Sequence, residues 1–311
     1  MTRSASGQRG NATVIVLLVL FLGIGVFGPF ALHLAQNRHN VVAPVAKRYP
    51  PDRKVVSGEV FAGTLAELLR HELEGGTGWR PNDFLLWGPG LWADNNANRQ
   101  LGIVQAARRT ATIFKDHLTK ISSNEYDPNL VRAEASLHNE MTKFWFPSAE
   151  SKLQEGIDAF EEYIAGLKTN PPRSRGINAR NIELIRLFQT WGDMLGDAHA
   201  NLYKEREADG DRVSMTRNDD YFYHAQGFTH VMFHMTQAVK REYAVDLENR
   251  PSVASLFDEV ASALQQAAVL KPLIVFDGGL DGLRANHRRN LDAFVVEARQ
   301  KMYSIREELE K

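Results

Sequence analysis

The feature that most constrains this chain is an uncharged apolar run from Ala12 to Ala35, ATVIVLLVLFLGIGVFGPFALHLA. About 20 such residues in a helix, at 1.5 Å of rise per residue, span the roughly 30 Å hydrocarbon core of a bilayer. We therefore predict a single transmembrane anchor over residues 12–35, with the lipid bilayer as its partner.

The alternative interpretation of this run is a cleaved secretory signal, whose apolar core spans about 7 to 15 residues before a small-x-small site. The run is longer than that, and its candidate cleavage sites are poor. Cutting after Ala31 places Pro29 at the third position back, and cutting after Ala35 places His33 there. Length and cleavage chemistry therefore favour a retained anchor.

The orientation of the anchor follows from the charges on either side of it. The tail, residues 1–11, carries Arg3 and Arg9 and no acid, which favours a cytoplasmic tail. Basic residues also follow the anchor and favour the opposite orientation: Arg38, Lys47, Arg48, Arg53 and Lys54. Long domains translocate largely regardless of charge, so we expect the tail inside the cell and the rest of the chain outside the cytoplasm.

Composition limits the classes of partner and chemistry. The formal charge of −1 and the sequence pI near 6.8 give no electrostatic basis for binding nucleic acid. There is no cysteine, which excludes disulfides, thiolate metal sites and cysteine nucleophiles. Hydrophobic residues make up 43% of the chain, enough for a substantial core in the part that follows the anchor.

Beyond the anchor, residues 36–57 contain Pro44, Pro50 and Pro51 and no sustained period, and we interpret them as a linker. Residues 58–311 then show apolar stripes built mainly from spacings of three and four, typical of amphipathic helices. Stripes of this kind begin at Phe61, Ile103, Leu130, Leu153, Leu184, Tyr221, Val253 and Leu291. The Leu130 stripe follows an Asp127-Pro128 start signal and extends to Pro147.

Several helices of about 20 residues with seven-residue seams pack most simply at shallow angles. The predicted fold class is all-α: an N-terminal single transmembrane helix followed by an antiparallel multi-helix bundle. We find no internal repeat of fixed period, which makes a solenoid less favourable than a bundle.

A histidine cluster, His224, His230 and His234, follows Asp219 and Asp220, and the last two histidines have the i, i+4 spacing of a metal pair. At 100° per residue, however, His230 and His234 point away from the apolar stripe of their helix. Val231 also stands where a zinc protease needs glutamate. We therefore interpret these histidines as a solvated or partner-facing surface and predict no metal.

Two other polar pairs have simple structural interpretations. Asp193 and Asp197 lie opposite the apolar stripe of their helix, which indicates a solvated face. Glu134 and His138 lie at the edge of a stripe, where partial burial could make them an acid-base couple, although such groups more often satisfy one another. The loop Asp277 to Gly282 imitates the start of a calcium loop, but Arg288 stands where the bidentate glutamate should be.

The least ordinary stretch is a tryptophan loop between Gly75 and Gln100, which holds three of the chain's five tryptophans. Its indoles either plug one end of the bundle, which we prefer, or form an aromatic surface for a partner or for lipid headgroups. The candidate binding residues in this loop are Trp79, Trp87, Pro89, Trp92, Asp94 and Asn95.

The same loop, WRPNDFLLWGPGLWADNNANRQLGI, together with HNEMTKFWFPSAESKL further on, resembles the bacterial family known as domain of unknown function 2333. The resemblance covers most of the chain after the anchor. It implies a bacterial inner-membrane protein and brings no established activity or catalytic residues. With the orientation expected above, the bulk of the chain lies in the periplasm.

Two function classes remain. The first is a non-enzymatic accessory or scaffold protein that presents a helical bundle to a protein partner in the cell envelope. The second is a metal-dependent or acid-base enzyme that uses Glu134 and His138, or the face of His230 and His234. Because no catalytic constellation is complete, we favour the first and predict no cofactor.

Overall fold

The computed structural model describes residues 6–28, 31, 34–36, 40, 42–83, 94–120, 125–178, 180–272, 274–279 and 283–311. Every regular element within these ranges is helical, which confirms the predicted all-α class. The helices are α1 Ser6–Leu22, α2 Val45–Arg48, α3 Glu59–Glu74, α4 Asn95–Ile113, α5 Pro128–Leu137, α6 Ala149–Leu167, α7 Asn181–Tyr203, α8 Met215–Glu242, α9 Ala244–Glu248, α10 Pro251–Ala268 and α11 His287–Glu310. Short π-helical segments, Gly23–Phe27 and Phe114–Leu118, extend α1 and α4.

Local signals in the sequence determine where α5 begins. The Asp127 side chain accepts hydrogen bonds from the backbone N–H groups of Asn129 and Leu130, and Pro128 occupies the first turn, as predicted. The predicted end at Pro147 is wrong, because α5 stops at Leu137. The chain then turns so that the Met141 carbonyl accepts a hydrogen bond from Trp79 Nε1 at 3.1 Å.

At the centre of the bundle, α4 and α8 lie side by side in the same direction. Helix α3 runs antiparallel to both. The Phe61 and Phe114 rings are 4.6 Å apart between centroids, and Arg99 Nη1 donates to Glu72 Oε1 at 2.8 Å. At the start of α3, the backbone N–H of Val60 donates to Glu242 Oε1 at 2.7 Å, at the end of α8. The predicted antiparallel arrangement therefore fails for this central pair, since α5, α6 and α7 intervene in sequence and no short loop fixes its direction.

Two glycines allow α4 and α8 to cross with their backbones in contact. A Cβ on Gly102 would lie 2.2 Å from the His224 carbonyl oxygen, and one on Gly227 would lie 2.3 Å from the Arg99 carbonyl oxygen. Distances this short are not compatible with any side chain, so the crossing requires glycine on both helices.

Helix α8, with 28 residues, is the axis of the fold. It packs against α4 and α3 on one side and against α10 and α7 on the other. Helix α6 packs on α3 and α5, and α11 packs on α7 and α10, so two outer groups of helices share α8 and α4 as their centre. Because neighbours surround α8, both its apolar and its polar faces are covered.

The segment predicted as a linker packs against the bundle over residues 42–57. Val42 and Val45 are almost fully buried and belong to the main hydrophobic core. The Arg241 guanidinium of α8 donates to the carbonyl oxygens of Tyr49 at 3.2 Å and Arg53 at 2.8 Å. The chain therefore enters the bundle well before α3 begins.

Helix α1 differs from the rest because its apolar side chains are not covered. Each side chain from Val14 to Leu22 is more than half exposed, and these nine successive residues cover every face of a helix. No helix within the described ranges combines the length and the hydropathy needed to cross a membrane.

Candidate functional site

The tryptophan loop is only partly within the described residues. Trp87, Pro89 and Trp92 lie outside them. Trp79 is 6% exposed and belongs to the main core, with its indole N–H bonded to Met141. At this position, the indole fills the core and satisfies its only polar atom, as a structural plug does.

Asp94 and Asn95 lie at the start of α4, where both side chains are buried. The parallel packing of α4 and α8 places Asp219 and Asp220, in the second turn of α8, next to Asp94. Asn98 Nδ2 donates to Asp220 Oδ1 at 2.7 Å and ties the two helix ends together. Asp94 is distant in sequence from Asp219 and Asp220, and the tertiary fold brings the three together as a carboxylate cluster, defined here as Asp94, Asp219 and Asp220.

The carboxylate cluster is poorly solvated and mutually repulsive. Burial, followed by the charges of Asp94 and Asp220, raises the pKa of Asp219 to about 7. Burial and Asp94 likewise raise the pKa of Asp220 to about 7, against the attraction of Arg217. Asp219 Oδ1 is buried without a hydrogen-bond partner. With pKa values raised to about 7, the carboxyl groups of Asp219 and Asp220 are partly protonated near neutral pH.

The interpretation of His230 and His234 as solvated surface residues is wrong. Their side chains are only 5% and 3% exposed, and their rings lie 4.8 Å apart between centroids. They do face away from the apolar stripe of α8, as predicted. That face, however, is turned towards Arg99 of α4 and other charged groups of the bundle.

Burial determines the ionisation of these histidines. It lowers the pKa of His230 well below the ordinary value, and Arg99 and His234 lower it further. Burial, with smaller effects from Arg48 and Arg99, lowers the pKa of His234 to about 3. Both imidazoles are therefore neutral at physiological pH.

Along the same face, α8 carries a buried polar stripe, defined here as Gln226, His230, His234 and Gln237 at spacings of four, four and three. Each of the four has a buried nitrogen or oxygen without a hydrogen-bond partner. Glu72 Oε2 is also buried and unpartnered, although its other oxygen accepts from Arg99 at 2.8 Å. Buried polar atoms without protein partners are usually satisfied by ordered water.

The polar interior is not organised as a metal centre. Within the described ranges, no three His, Asp or Glu side chains are placed so that they could hold a metal ion. The buried Arg99–Glu72 pair instead connects α4 to α3 with two side chains that are 2% and 1% exposed. Its charge compensation makes it a structural element of the central crossing.

Glu134 and His138 form a structural pair at the surface. His138 Nδ1 lies 3.2 Å from Glu134 Oε1 and 2.9 Å from the Glu134 carbonyl oxygen at the end of α5. The other carboxylate oxygen faces Lys115 Nζ at 3.4 Å, and Thr112 donates to Oε1 at 3.2 Å. With its carboxylate already bonded and its imidazole about half exposed, the pair satisfies itself. Asp193 and Asp197 are exposed, as predicted.

The loop at Asp277 borders an open cleft of about 940 Å³. Arg288, which replaces the glutamate of a calcium loop, is buried and donates to Asp277 Oδ2 at 3.2 Å and to Asn218 Oδ1 at 2.7 Å. The cleft is lined by the side chains of Arg212, Arg284 and Arg289 among others. The Asp277 carboxylate is therefore paired with an arginine of α11.

Together these features define a class: a helical bundle with a polar interior, a carboxylate cluster at one end of its central helices and an uncovered apolar helix before it. The family described as an uncharacterised protein conserved in bacteria, domain of unknown function 2333, matches residues 5–205 and 188–311. The chain belongs to this family, which confirms the resemblance found in the tryptophan loop. Neither a curated protein nor a solved structure matches the chain.

Sequence reasoning missed the carboxylate cluster and the Arg99–Glu72 pair. Asp94 was a candidate only as part of the tryptophan loop, and Asp219 and Asp220 only as neighbours of the histidines. Gly102 lies eight residues after Asp94, and Gly227 lies eight residues after Asp219. This matched spacing was a useful signal, because small residues on two helices indicate that the helices cross closely.

Proposed function

We propose that this protein is a membrane-tethered, non-enzymatic accessory or scaffold protein of the bacterial cell envelope. In this proposal residues 12–35 cross the inner membrane with the tail in the cytoplasm. The bundle then lies in the periplasm, where it binds a protein partner.

The observation that carries the proposal is the exposure of α1. Its side chains from Leu17 to Leu20 are 53–62% exposed, although they are among the most apolar of the chain. Burial of each such side chain away from water is worth about 1.5–3 kcal/mol, so a helix exposed on all faces requires a non-aqueous environment. The tether uses the whole uncharged run to Ala35, of which the described α-helix covers the part up to Leu22.

Two polar pairs of the bundle support a scaffold rather than an enzyme. Glu134 and His138 bond to one another and to α4 neighbours, and Glu72 is paired with Arg99. The carboxylates of Glu134 and Glu72 already bond to side chains of neighbouring helices, so these groups contribute to the packing of the bundle.

The tether is tested by extraction of membranes from cells that produce the full chain. Alkaline carbonate should leave the wild-type protein in the membrane pellet. Placing two charges in the run, Leu17→Arg with Leu20→Arg, should release it, because each arginine near a helix centre costs about 2.5–3.5 kcal/mol for insertion. The matched control is Val245→Arg on the 75% exposed Val245 side chain of α9, which should remain in the pellet. Carbonate extraction of the wild-type protein would reject the tether.

Orientation and the partner need separate measurements. An alkaline phosphatase reporter fused after Lys311 should be active, and an inactive fusion would reject the periplasmic location. Formaldehyde crosslinking of intact cells should convert the full chain into a discrete heavier species containing a second protein. A chain that stays at its own mass after crosslinking would contradict the scaffold role.

A further inference from the structure

Three successive aromatic side chains project from the bundle between α5 and α6. Phe144, Trp145 and Phe146, named here the aromatic triplet, are 54%, 71% and 95% exposed. The Phe144 and Trp145 rings lie edge to face at 5.8 Å between centroids. Large aromatic side chains exposed together on a folded domain indicate a contact surface, since isolated exposure is common and a contiguous apolar patch is not.

The base of the aromatic triplet is held in place by hydrogen bonds. The Lys143 carbonyl oxygen accepts from the Ala149 backbone N–H at 3.1 Å and from Asn82 Nδ2 at 3.3 Å. Asn82 Nδ2 also donates to Glu150 Oε2 at 2.8 Å, and Ala149 is the first residue of α6. The triplet is therefore a fixed projection of the bundle.

The aromatic triplet lies at the end of the bundle where the chain arrives from the apolar run. Gln36, one residue after Ala35, accepts hydrogen bonds at its Oε1 from the backbone N–H and the hydroxyl of Thr77, both at 2.8 Å. Two residues after Thr77, Trp79 donates to the Met141 carbonyl, three residues before Phe144. The end of the run and the aromatic triplet are thus joined through the single segment Thr77–Asn82.

The opposite end of the bundle provides a reference. Helix α3 begins beside Glu242 at the end of α8 and ends at Glu74, just before Thr77. Its 16 residues span about 24 Å at 1.5 Å per residue. Val245 on α9, three residues after Glu242, is 75% exposed at that far end.

Tryptophan favours the boundary between lipid headgroups and hydrocarbon, phenylalanine inserts on the apolar side of that boundary, and lysine favours the phosphates beside it. We propose that the aromatic triplet, with Lys143 at its base, is a second membrane contact that seats the bundle on the bilayer beside its tether. This inference rests on the proposed tether. The tether determines which end of the bundle lies near the bilayer, and the aromatic triplet determines how the bundle is oriented on the bilayer surface.

The absence of cysteine allows a direct test with single labelled positions in the full chain. Phe146→Cys and, as the matched control, Val245→Cys are each labelled with an environment-sensitive nitrobenzoxadiazole fluorophore. The two proteins are reconstituted into vesicles of phosphatidylethanolamine and phosphatidylglycerol. The label at position 146 should shift its emission to the blue and be quenched by nitroxide-labelled lipids, whereas the label at position 245 should show neither change.

Flotation of the same vesicles separates this inference from the proposed tether. A protein that floats with the vesicles while both labels report water would overturn the membrane contact and leave the tether intact. A protein that does not float would overturn both.

A second variant shows whether the neighbouring rings form the contact. Adding Phe144→Ser and Trp145→Ser to the labelled Phe146→Cys protein should remove most of the lipid quenching while the protein still floats. The chemical unfolding midpoint should stay the same, because both side chains are exposed. Quenching that persists undiminished would reject the triplet as the contact.

Discussion

The exposure of helices α1 and α8 is the opposite of what the hydrophobicity of their sequences predicts. The first is the most apolar helix of the chain, and its side chains from Val14 to Leu22 are all more than half exposed. The second carries the polar stripe of Gln226, His230, His234 and Gln237, and the histidines are at most 5% exposed. Hydrophobicity therefore did not decide which helix is inside the bundle.

The two helices differ in burial because they differ in the number of helices packed around them. Helix α8 is enclosed by α3, α4, α7 and α10, so a side chain on any of its faces is covered. Its polar face is tolerated because the histidines are neutral and because Arg99 and Glu72 compensate one another nearby. Among the described residues, no set of helices encloses α1 in this way.

We expect the largest loss of stability when one partner of the buried Arg99–Glu72 pair is removed. Glu72→Gln leaves the Arg99 guanidinium buried without its counter-charge, and we expect a loss of about 3–5 kcal/mol in the free energy of unfolding. Urea unfolding of the full chain in detergent micelles measures it. Glu161→Gln is the control, because it removes a surface partner of Arg70 and should cost less than about 1 kcal/mol. Equal losses would contradict a special role for the interior pair.

The close crossing of α4 and α8 should be the next most sensitive feature. Gly102→Ala and Gly227→Ala each place a Cβ within 2.3 Å of a carbonyl oxygen, so the helices must separate. We expect a loss of about 1–3 kcal/mol, measured as a shift in the urea midpoint. Gly192→Ala on α7 is the control: its Cβ would meet only Tyr303 at 3.6 Å, so stability should hold or rise slightly. A tolerated Gly102→Ala would show that the crossing is looser than described.

The carboxylate cluster should make stability depend on pH with a defined sign. Because the folded pKa of Asp219 and Asp220 is raised to about 7, the folded protein retains protons that the unfolded chain releases above its pKa near 4. Their contribution to stability is therefore fully present at low pH and is lost as pH rises from about 4 to 7.

A double variant isolates this contribution from the opposing effect of the buried histidines. Asp219→Asn with Asp220→Asn should be more stable than wild type at pH 8 by roughly 1–2 kcal/mol, reduced from the full shift by partial solvation. The advantage should shrink towards pH 4. Urea unfolding at several pH values measures it, and a constant difference between variant and wild type would contradict the raised pKa values of Asp219 and Asp220.

The smallest expected effect belongs to α1. Leu17→Gln changes a side chain that is 60% exposed, so the free energy of unfolding of the bundle should change by less than about 0.5 kcal/mol. The buried counterpart on α8, Met232→Gln, should cost several times more, since Met232 is fully buried. A large effect of Leu17→Gln on unfolding would mean that α1 packs on the bundle, and would narrow the difference between the two helices.

The sequence by itself determined the helical class and many local boundaries. Alternating spacings of three and four marked the apolar faces of α3, α6 and α7. Asp127 and Pro128 marked the start of α5 through a side-chain cap and a proline at the first turn. These features depend on neighbouring residues in the chain, so a periodic pattern is sufficient to read them.

Only the tertiary structure determined whether the polar faces of the helices are buried or exposed. The pattern correctly turned His230 and His234 away from the apolar stripe, but it could not reveal that α3 and α4 lie on that side. The same limit applies to the carboxylate cluster, whose members Asp94 and Asp219 are distant in sequence and meet because α4 and α8 run parallel through a glycine crossing. The burial of a polar face depends on which helices pack against it. The periodicity of one helix does not predict which element lies opposite its polar side.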